Sequence, residues 1–135
     1  MVISPVNDYQ KIIDLNGSFN DYKKLVEIKV LTKDFSGALK VASNSIKKYP
    51  NIAKNYFMRA NIKRLLKDNS GASIDYSMAI NIRPNYADAY FNRGKVTGLK
   101  NLSKSCSDYK KASSLGRKMN MGAKITCFMD KYTFF

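Results

Sequence analysis

The sequence predicts an all-α protein built as a solenoid of antiparallel helix hairpins, and three observations predict this fold. Only three prolines and seven glycines interrupt the 135 residues, which is few for a fold made of short strands and tight turns. Apolar residues recur at helical spacing along most of the chain. A segment that ends at Pro50 recurs as one that ends at Pro84, and a repeat period of about 34 residues is typical of stacked helical hairpins.

The repeat period from Pro50 to Pro84 aligns equivalent residues across the middle of the chain. Tyr22 aligns with Tyr56 and Tyr90, and Leu25 aligns with Arg59 and Arg93. Small residues recur in the same register, where two helices approach closely: Ala38, Ala60, Ala72, Ala79 and Gly94. Each period therefore predicts a hairpin of two helices, with a proline just beyond the second helix of the first two repeats.

The order of elements follows from this register. The segment that begins with Asp8-Tyr9 matches the one that begins with Asp75-Tyr76, so the chain is expected to begin with a lone second helix and to be part of a longer array. Met121, Ile125, Phe128, Met129 and Tyr132 recur at helical spacing, as expected of a helix that covers the apolar face of the last repeat. The predicted elements are a lone helix at 6–15, repeats at 19–50, 53–84 and 87–116, and a capping helix at 118–132.

These repeats resemble the tetratricopeptide repeat family over about residues 19–116. The resemblance is carried by the run from Tyr56 to Ala60 with Ala72, Tyr76, Ala79 and Pro84, and by a similar run from Ala89 to Gly94 with Tyr109 and Ala112. It implies a right-handed α-α superhelical solenoid of three repeats plus a C-terminal capping helix. It also implies an interaction scaffold whose first helices line a concave surface.

The resemblance implies a peptide-binding groove when the family's inward-facing positions are carried onto this sequence. The residues at those positions are Asn20, Lys23, Glu27, Lys54, Phe57, Asn61, Arg64, Asp88, Phe91 and Lys95. Exposed Phe57 and Phe91 would anchor an apolar side chain, and the surrounding cations favour an acidic protein or peptide. Self-association into a homo-oligomer through the terminal helices is the alternative function.

Chaperone-binding members of the family resemble one another in a clamp for a C-terminal carboxylate. The clamp positions hold Lys23, Glu27, Met58, Asp88 and Asn92 here. Only one of these residues matches the family's pattern, and two are acidic. The sequence therefore argues against a carboxylate clamp.

The net charge of +14 raises the question of a nucleic-acid partner. The 19 lysines outnumber the 5 arginines, and 13 asparagines accompany them, a bias in composition rather than a supply of bidentate phosphate ligands. Nucleic-acid binding is therefore the least favoured alternative. No apolar run is long enough to span a membrane, and no membrane partner is expected.

Catalysis is not expected. The chain has no histidine, which removes the commonest general base and zinc ligand, and no glycine-rich phosphate loop precedes a helix. We expect a binding protein that is not an enzyme and that needs no metal or cofactor.

Two further features allow alternative interpretations. Cys106 and Cys127 are either small apolar core residues or, if the helices beside residue 116 run antiparallel, partners in a disulfide. The protein is expected to be soluble, with a cytoplasmic location by default and export if the cysteines are paired. Arg59 and Arg93 are interpreted as ion pairs with Asp75 and Asp108 rather than as ligand contacts.

Overall fold

The computed structural model describes residues 4–132, which form α-helices joined by short turns with no strand among them. The helices are α1 Pro5–Asn16, α2 Phe19–Leu31, α3 Phe35–Lys48, α4 Ala53–Leu65, α5 Asn69–Ile82, α6 Ala87–Thr97, α7 Leu102–Ser114 and α8 Met121–Tyr132, with a 3₁₀ turn at Gly98–Lys100 between α6 and α7. Each helix packs on the next one along the chain. The predicted fold class, a right-handed α-α superhelical solenoid, is confirmed.

The turns inside the first two hairpins share one local design. Lys33 and Lys67 adopt left-handed backbone conformations with φ of 60° and 66°, and the following aspartates cap α3 and α5. Their carboxylates accept hydrogen bonds from the amides of Gly37 and Gly71. A side chain at Gly37 would lie within 2.2 Å of the Asp34 carboxylate, so the cap requires glycine there.

The second helix of the third hairpin begins one residue earlier, relative to the first helix, than in the other two hairpins. Helix α6 ends early at Thr97, Gly98 adopts a φ of 49°, and a 3₁₀ turn at Gly98–Lys100 leads to α7. The Asn101 side chain then accepts a hydrogen bond from the amide of Lys104 at 3.0 Å. The cap at the start of α7 is therefore kept with one residue fewer.

Small residues allow the paired helices to approach closely. Ala38, Ala60 and Ala72 are fully buried. A Cβ added to Gly94 would come within 3.0 Å of the Tyr109 ring and 3.1 Å of the Ser105 carbonyl. Three apolar clusters follow one another along the solenoid, as expected when each hairpin buries its faces only against its neighbours. The first contains Leu25, Val26 and Ala42, the second Tyr56, Tyr76 and Ala79, and the third Phe91, Tyr109 and Ala112.

The terminal helix α8 corrects one expectation. Its large apolar residues do not cover the last repeat: Met121, Ile125, Phe128, Met129 and Tyr132 are all exposed. The physical reason is that α8 contacts the third cluster through its opposite face, with Ala123 buried and Cys127 packed against it.

Candidate functional site

Buried ion pairs join the two helices of the second and third hairpins. The Asp75 carboxylate accepts two hydrogen bonds from Arg59, at 2.7 and 2.8 Å, and the ammonium of Lys63 lies 3.0 Å from it. Asp108 accepts two from Arg93, at 2.9 and 2.7 Å. Chiefly through these hydrogen bonds, Asp75 raises the pKa of the Arg59 guanidinium and Asp108 raises the pKa of the Arg93 guanidinium. The arginines hold hairpins together, as the sequence indicated.

Phe57 and Phe91 correct a second expectation, because neither ring is exposed. Only 8% of Phe57 and 4% of Phe91 are accessible to solvent. Phe57 stacks on Tyr86 with ring centres 4.8 Å apart, and Phe91 packs against Tyr109 at 5.2 Å. The helices that follow each phenylalanine cover it, so these rings belong to the core and cannot anchor a ligand.

An apolar groove lies between the first helices of the first two repeats, and we call it the α2–α4 groove. It encloses about 410 Å³. It is lined by Val26, Glu27, Val30 and Leu31 from α2 and by Lys54, Met58, Asn61, Ile62 and Leu65 from α4. Three predicted site residues, Glu27, Lys54 and Asn61, therefore come together in this groove.

The rim of the α2–α4 groove is charged. Glu27 lies 3.7 Å from Lys23 and 3.6 Å from Lys24, so two lysines offset its charge. The Lys54 ammonium lies 5.0 Å from the centre of the Phe57 ring and makes no ion pair within residues 4–132. Lys54 is thus the cation of the groove available to an acidic group.

One wall of the groove is held by a hydrogen-bond network. The Asn61 carbonyl oxygen accepts hydrogen bonds from the Tyr76 hydroxyl and from the amide of Asn92. Burial raises the pKa of Tyr76, so its hydroxyl stays a donor to a higher pH than that of a free tyrosine. Asn61 is therefore held in place by two neighbouring helices, and one of them, α6, belongs to the next repeat.

The remaining predicted residues lie elsewhere. Arg64 and Lys95 line a smaller depression between α4 and α6, of about 260 Å³. The Arg64 Nε atom is buried without a hydrogen-bond partner in the described part of the chain. Asp88 forms an ion pair with Arg117, and Asn20 is exposed in the first turn of α2. The ten predicted residues therefore do not form one continuous site.

The sequence prediction missed the exposed leucines of the groove. Leu31 and Leu65 line it and are 82% and 41% exposed, and Leu99 is 74% exposed. These three leucines are spaced one repeat period apart, so each stands at the same place in its repeat. Their recurrence at the repeat period is visible in the sequence, but their exposure is visible only in the structure, so the recurrence alone did not locate the groove.

The clamp positions have other roles. Met58 lies in the apolar lining of the groove, and Asp88 is paired with Arg117. No group of three or more Cys, Asp or Glu side chains within residues 4–132 could hold a metal ion. Within the same range, no helix has the length and apolar character needed to cross a membrane.

Cys106 and Cys127 form a disulfide between α7 and α8. Their Cα atoms are 4.8 Å apart, and Cys106 is fully buried while Cys127 is partly exposed. The bond closes a loop with a sequence separation of 21. It ties α8 to the last repeat, so that the outer face of α8 is held in a defined orientation.

Comparison with known proteins finds one family model that matches part of the chain and solved structures that share its fold. The family model for the TPR repeat, the tetratricopeptide repeat, matches residues 60–101. No curated protein sequence matches the chain. Solved structures match it over most of its length at low sequence identity.

Three of these structures illustrate the similarity. The first TPR domain of Spaghetti (RPAP3), bound to the HSP90 peptide SRMEEVD, matches with a TM-score of 0.75 and 19% identity over 84% of this chain and 90% of that chain. The TPR domain of Arabidopsis OM64 matches at 0.74 and 22%, over 84% and 93%. The Sgt2 TPR domain from Aspergillus fumigatus matches at 0.73 and 16%, over 84% and 76%. Likeness at these identities shows a common fold.

Proposed function

We propose that the chain is a protein-interaction module of the tetratricopeptide repeat type, whose family model matches residues 60–101, and that it binds a peptide segment in the α2–α4 groove. The observation that carries the proposal is the groove itself, an apolar depression on the first helices of two repeats with Lys54 at its rim. Concave sites that combine apolar walls with a few polar groups are the usual form of a ligand site. The related RPAP3 domain, bound to a peptide, supports this function.

The chemistry of the groove suggests a ligand. Val30, Met58 and Leu65 offer an apolar wall for an aliphatic or aromatic side chain. Lys54 stands beside that wall and favours a carboxylate on the same peptide. We therefore propose an acidic segment with one apolar anchor, bound by its interior side chains rather than by a terminal carboxylate.

Binding rather than turnover is part of this proposal. The groove contains one carboxylate, Glu27, which two lysines flank, and the chain has no histidine. A general acid and base at working distance are thus missing from the lining residues. Affinity for a partner is the property that the groove can supply.

A selection of random peptides displayed on phage tests the proposal. Peptides selected on the wild-type protein are expected to combine an apolar residue with Asp or Glu. They should bind the Leu31→Asp, Leu65→Asp double variant at least roughly tenfold more weakly, because a side chain of this size contributes about 1.5–3 kcal/mol when fully buried. Isothermal titration calorimetry measures both affinities.

The matched control is Ile74→Asp, which places the same charge on an exposed apolar residue of α5 that is not part of the groove. It should bind selected peptides as the wild type does. Lys54→Glu should reverse the preference, so that basic peptides are enriched instead. Equal binding of the peptides by the wild type and the double leucine variant would reject the groove as the site.

A further inference from the structure

Helix α8 occupies the place of the first helix of a fourth hairpin. It begins one repeat period after α6 begins, and Ala123, one period after Ala89, is buried as Ala89 is. It packs on α7 as α6 packs on α5. The second helix that would complete this hairpin is not found among the described residues, which end with α8 at Tyr132.

The face of α8 that this second helix would cover is apolar and exposed. Phe91 and Gly94 of α6 are buried, and both contact Tyr109 of the second helix α7. The equivalent residues of α8 are Ile125 and Phe128, which are 52% and 64% exposed. The same face carries Met121, Met129 and Tyr132.

At the other end of the described chain, α1 stands at the place of a second helix, and no first helix precedes it within residues 4–132. Val6, Tyr9 and Ile13 pack it onto the first cluster, and its opposite face is exposed within that range. Ile12 corresponds to Ala79, which is fully buried in the second cluster, yet Ile12 is 44% exposed. The two ends of the molecule therefore expose the complementary halves of one hairpin.

We propose that α1 of a second copy docks on the exposed face of α8 and supplies the missing second helix, so that copies assemble head to tail. Each junction would cover the apolar residues of α8 with Ile12 of the next copy. Such a heterologous contact uses different surfaces on the two partners, and it produces a chain or a closed ring rather than a two-fold dimer.

Charge at the two ends supports this pairing. Lys131 is two periods after Lys63, and Asp8 corresponds to Asp75. Lys63 and Asp75 form an ion pair at 3.0 Å inside the second hairpin. The repeat register therefore brings Lys131 of one copy to Asp8 of the next, and Asp8 makes no ion pair within residues 4–132.

Charge also disfavours a symmetric contact between two copies of α8. Residues 117–132 carry more positive than negative charge: the cations are Arg117, Lys118, Lys124 and Lys131, and the carboxylate is Asp130. Two copies of this segment therefore repel each other. Helix α1 carries Asp8 and Asp14 against Lys11. Phe128 stands one period after the small residue Gly94, so the incoming helix is expected to pack against a ring where α7 packs against a glycine.

Two variants that each block one end test the proposal. Phe128→Asp blocks the α8 face, and Ile12→Asp blocks the α1 face. Analytical ultracentrifugation should show a wild-type mass that rises with concentration past a dimer or reaches a ring. Each variant alone should associate with a dissociation constant more than roughly 100-fold higher than that of the wild type, because a charge would be buried in an apolar contact. Mixed in equal amounts, the two should form a dimer and nothing larger, since each retains one intact end.

Exchanging charges at exposed positions provides a second test that spares the fold. Asp8→Lys and Lys131→Asp should each weaken association about fivefold, and the double variant should restore it. Circular dichroism verifies that every variant keeps its helices, and Ile74→Asp is the control for surface charge.

Three outcomes would overturn the proposal: a wild type that remains monomeric at high concentration, blocked-end variants that stay monomeric when mixed, or a double charge exchange that restores nothing. A monomeric wild type that sediments with phosphatidylserine vesicles, and does so through Phe128, would assign the face to a lipid surface instead. None of these variants touches the α2–α4 groove, so peptide binding and assembly can fail independently.

Discussion

The first and second hairpins solve the same packing problem with different chemistry. Between α2 and α3, Leu25 and Val41 meet as buried apolar side chains. The equivalent residues between α4 and α5 are Arg59 and Asp75. Arg59 donates two hydrogen bonds to the Asp75 carboxylate, and the Lys63 ammonium lies 3.0 Å from the same carboxylate. Neighbouring helices hold their positions in both cases. Both pairings therefore occupy the same place in the repeat.

The two solutions respond differently to change. An apolar pair loses contact area in proportion to the atoms removed. An ion pair that is mostly buried fails abruptly when one member is lost, because the remaining charge keeps its desolvation cost without its partner. Truncating one buried side chain in each hairpin should therefore lower the free energy of unfolding by different amounts.

The largest expected effect comes from Asp75→Ala. It leaves Arg59 and Lys63 without their buried carboxylate, and it should lower the free energy of unfolding by about 4 kcal/mol. The equivalent truncation in the first hairpin, Val41→Ala, removes only methyl groups and should cost about 2 kcal/mol. Urea unfolding followed by circular dichroism measures both. Equal losses would mean that the buried charges are not what distinguishes the hairpins.

The parts that the sequence predicted well are those that the repeat determines locally. The hairpin turns, the Arg59–Asp75 pair and the small residues at the close approaches all depend on residues that recur at a fixed spacing. The burial of Phe57 depends instead on Tyr86, a residue at the start of the following repeat whose ring stacks on Phe57. Periodicity alone does not show which ring of a neighbouring repeat will lie over a given position.

The candidate site was only partly predictable for the same reason. Lys54 and Asn61 were predicted for a peptide-binding groove and line the α2–α4 groove, and their part in binding stays a prediction. Leu31 and Leu65 were missed because an apolar residue at helical spacing is expected in a core, and only the packed structure shows them exposed. The exposed stripe of α8 has a similar origin, because whether a last helix turns its apolar face inward depends on which face packs against the preceding hairpin.

The second prediction concerns the loops that connect one hairpin to the next. Ile52 precedes α4, and the equivalent residue before α6 is Tyr86, which is 4% exposed with its ring centre 3.6 Å from the Arg83 guanidinium. Burial raises the pKa of Tyr86 from 10.0 to about 12. The unfolded chain therefore loses the tyrosine proton near pH 10 while the folded protein keeps it until about pH 12.

Stability from Tyr86 should therefore be fully present below pH 10 and lost as the pH rises to 12. The expected loss is about 3 kcal/mol, since each pKa unit corresponds to about 1.4 kcal/mol. Tyr86→Phe keeps the stacked ring and removes the ionisable group. The difference in unfolding free energy between wild type and variant should change over this pH interval. A difference that stays constant from pH 9 to pH 12 would show that burial of this hydroxyl does not limit stability.

The smallest expected effect is also the sharpest test of the comparison between hairpins. The double variant Arg59→Leu, Asp75→Val gives the second hairpin the residues of the first. Replacing a buried ion pair with apolar residues is often neutral or stabilising, so its unfolding free energy should lie within about 1 kcal/mol of the wild type. Lys63 would lose Asp75 as its partner. In the first hairpin the equivalent lysine, Lys29, pairs with Asp34 at 3.0 Å. Asp68 is equivalent to Asp34, so Lys63 should pair with Asp68 instead. If the double variant proved no more stable than Asp75→Ala, the apolar and ionic solutions would not be interchangeable, and the second hairpin would depend on its charges for its geometry.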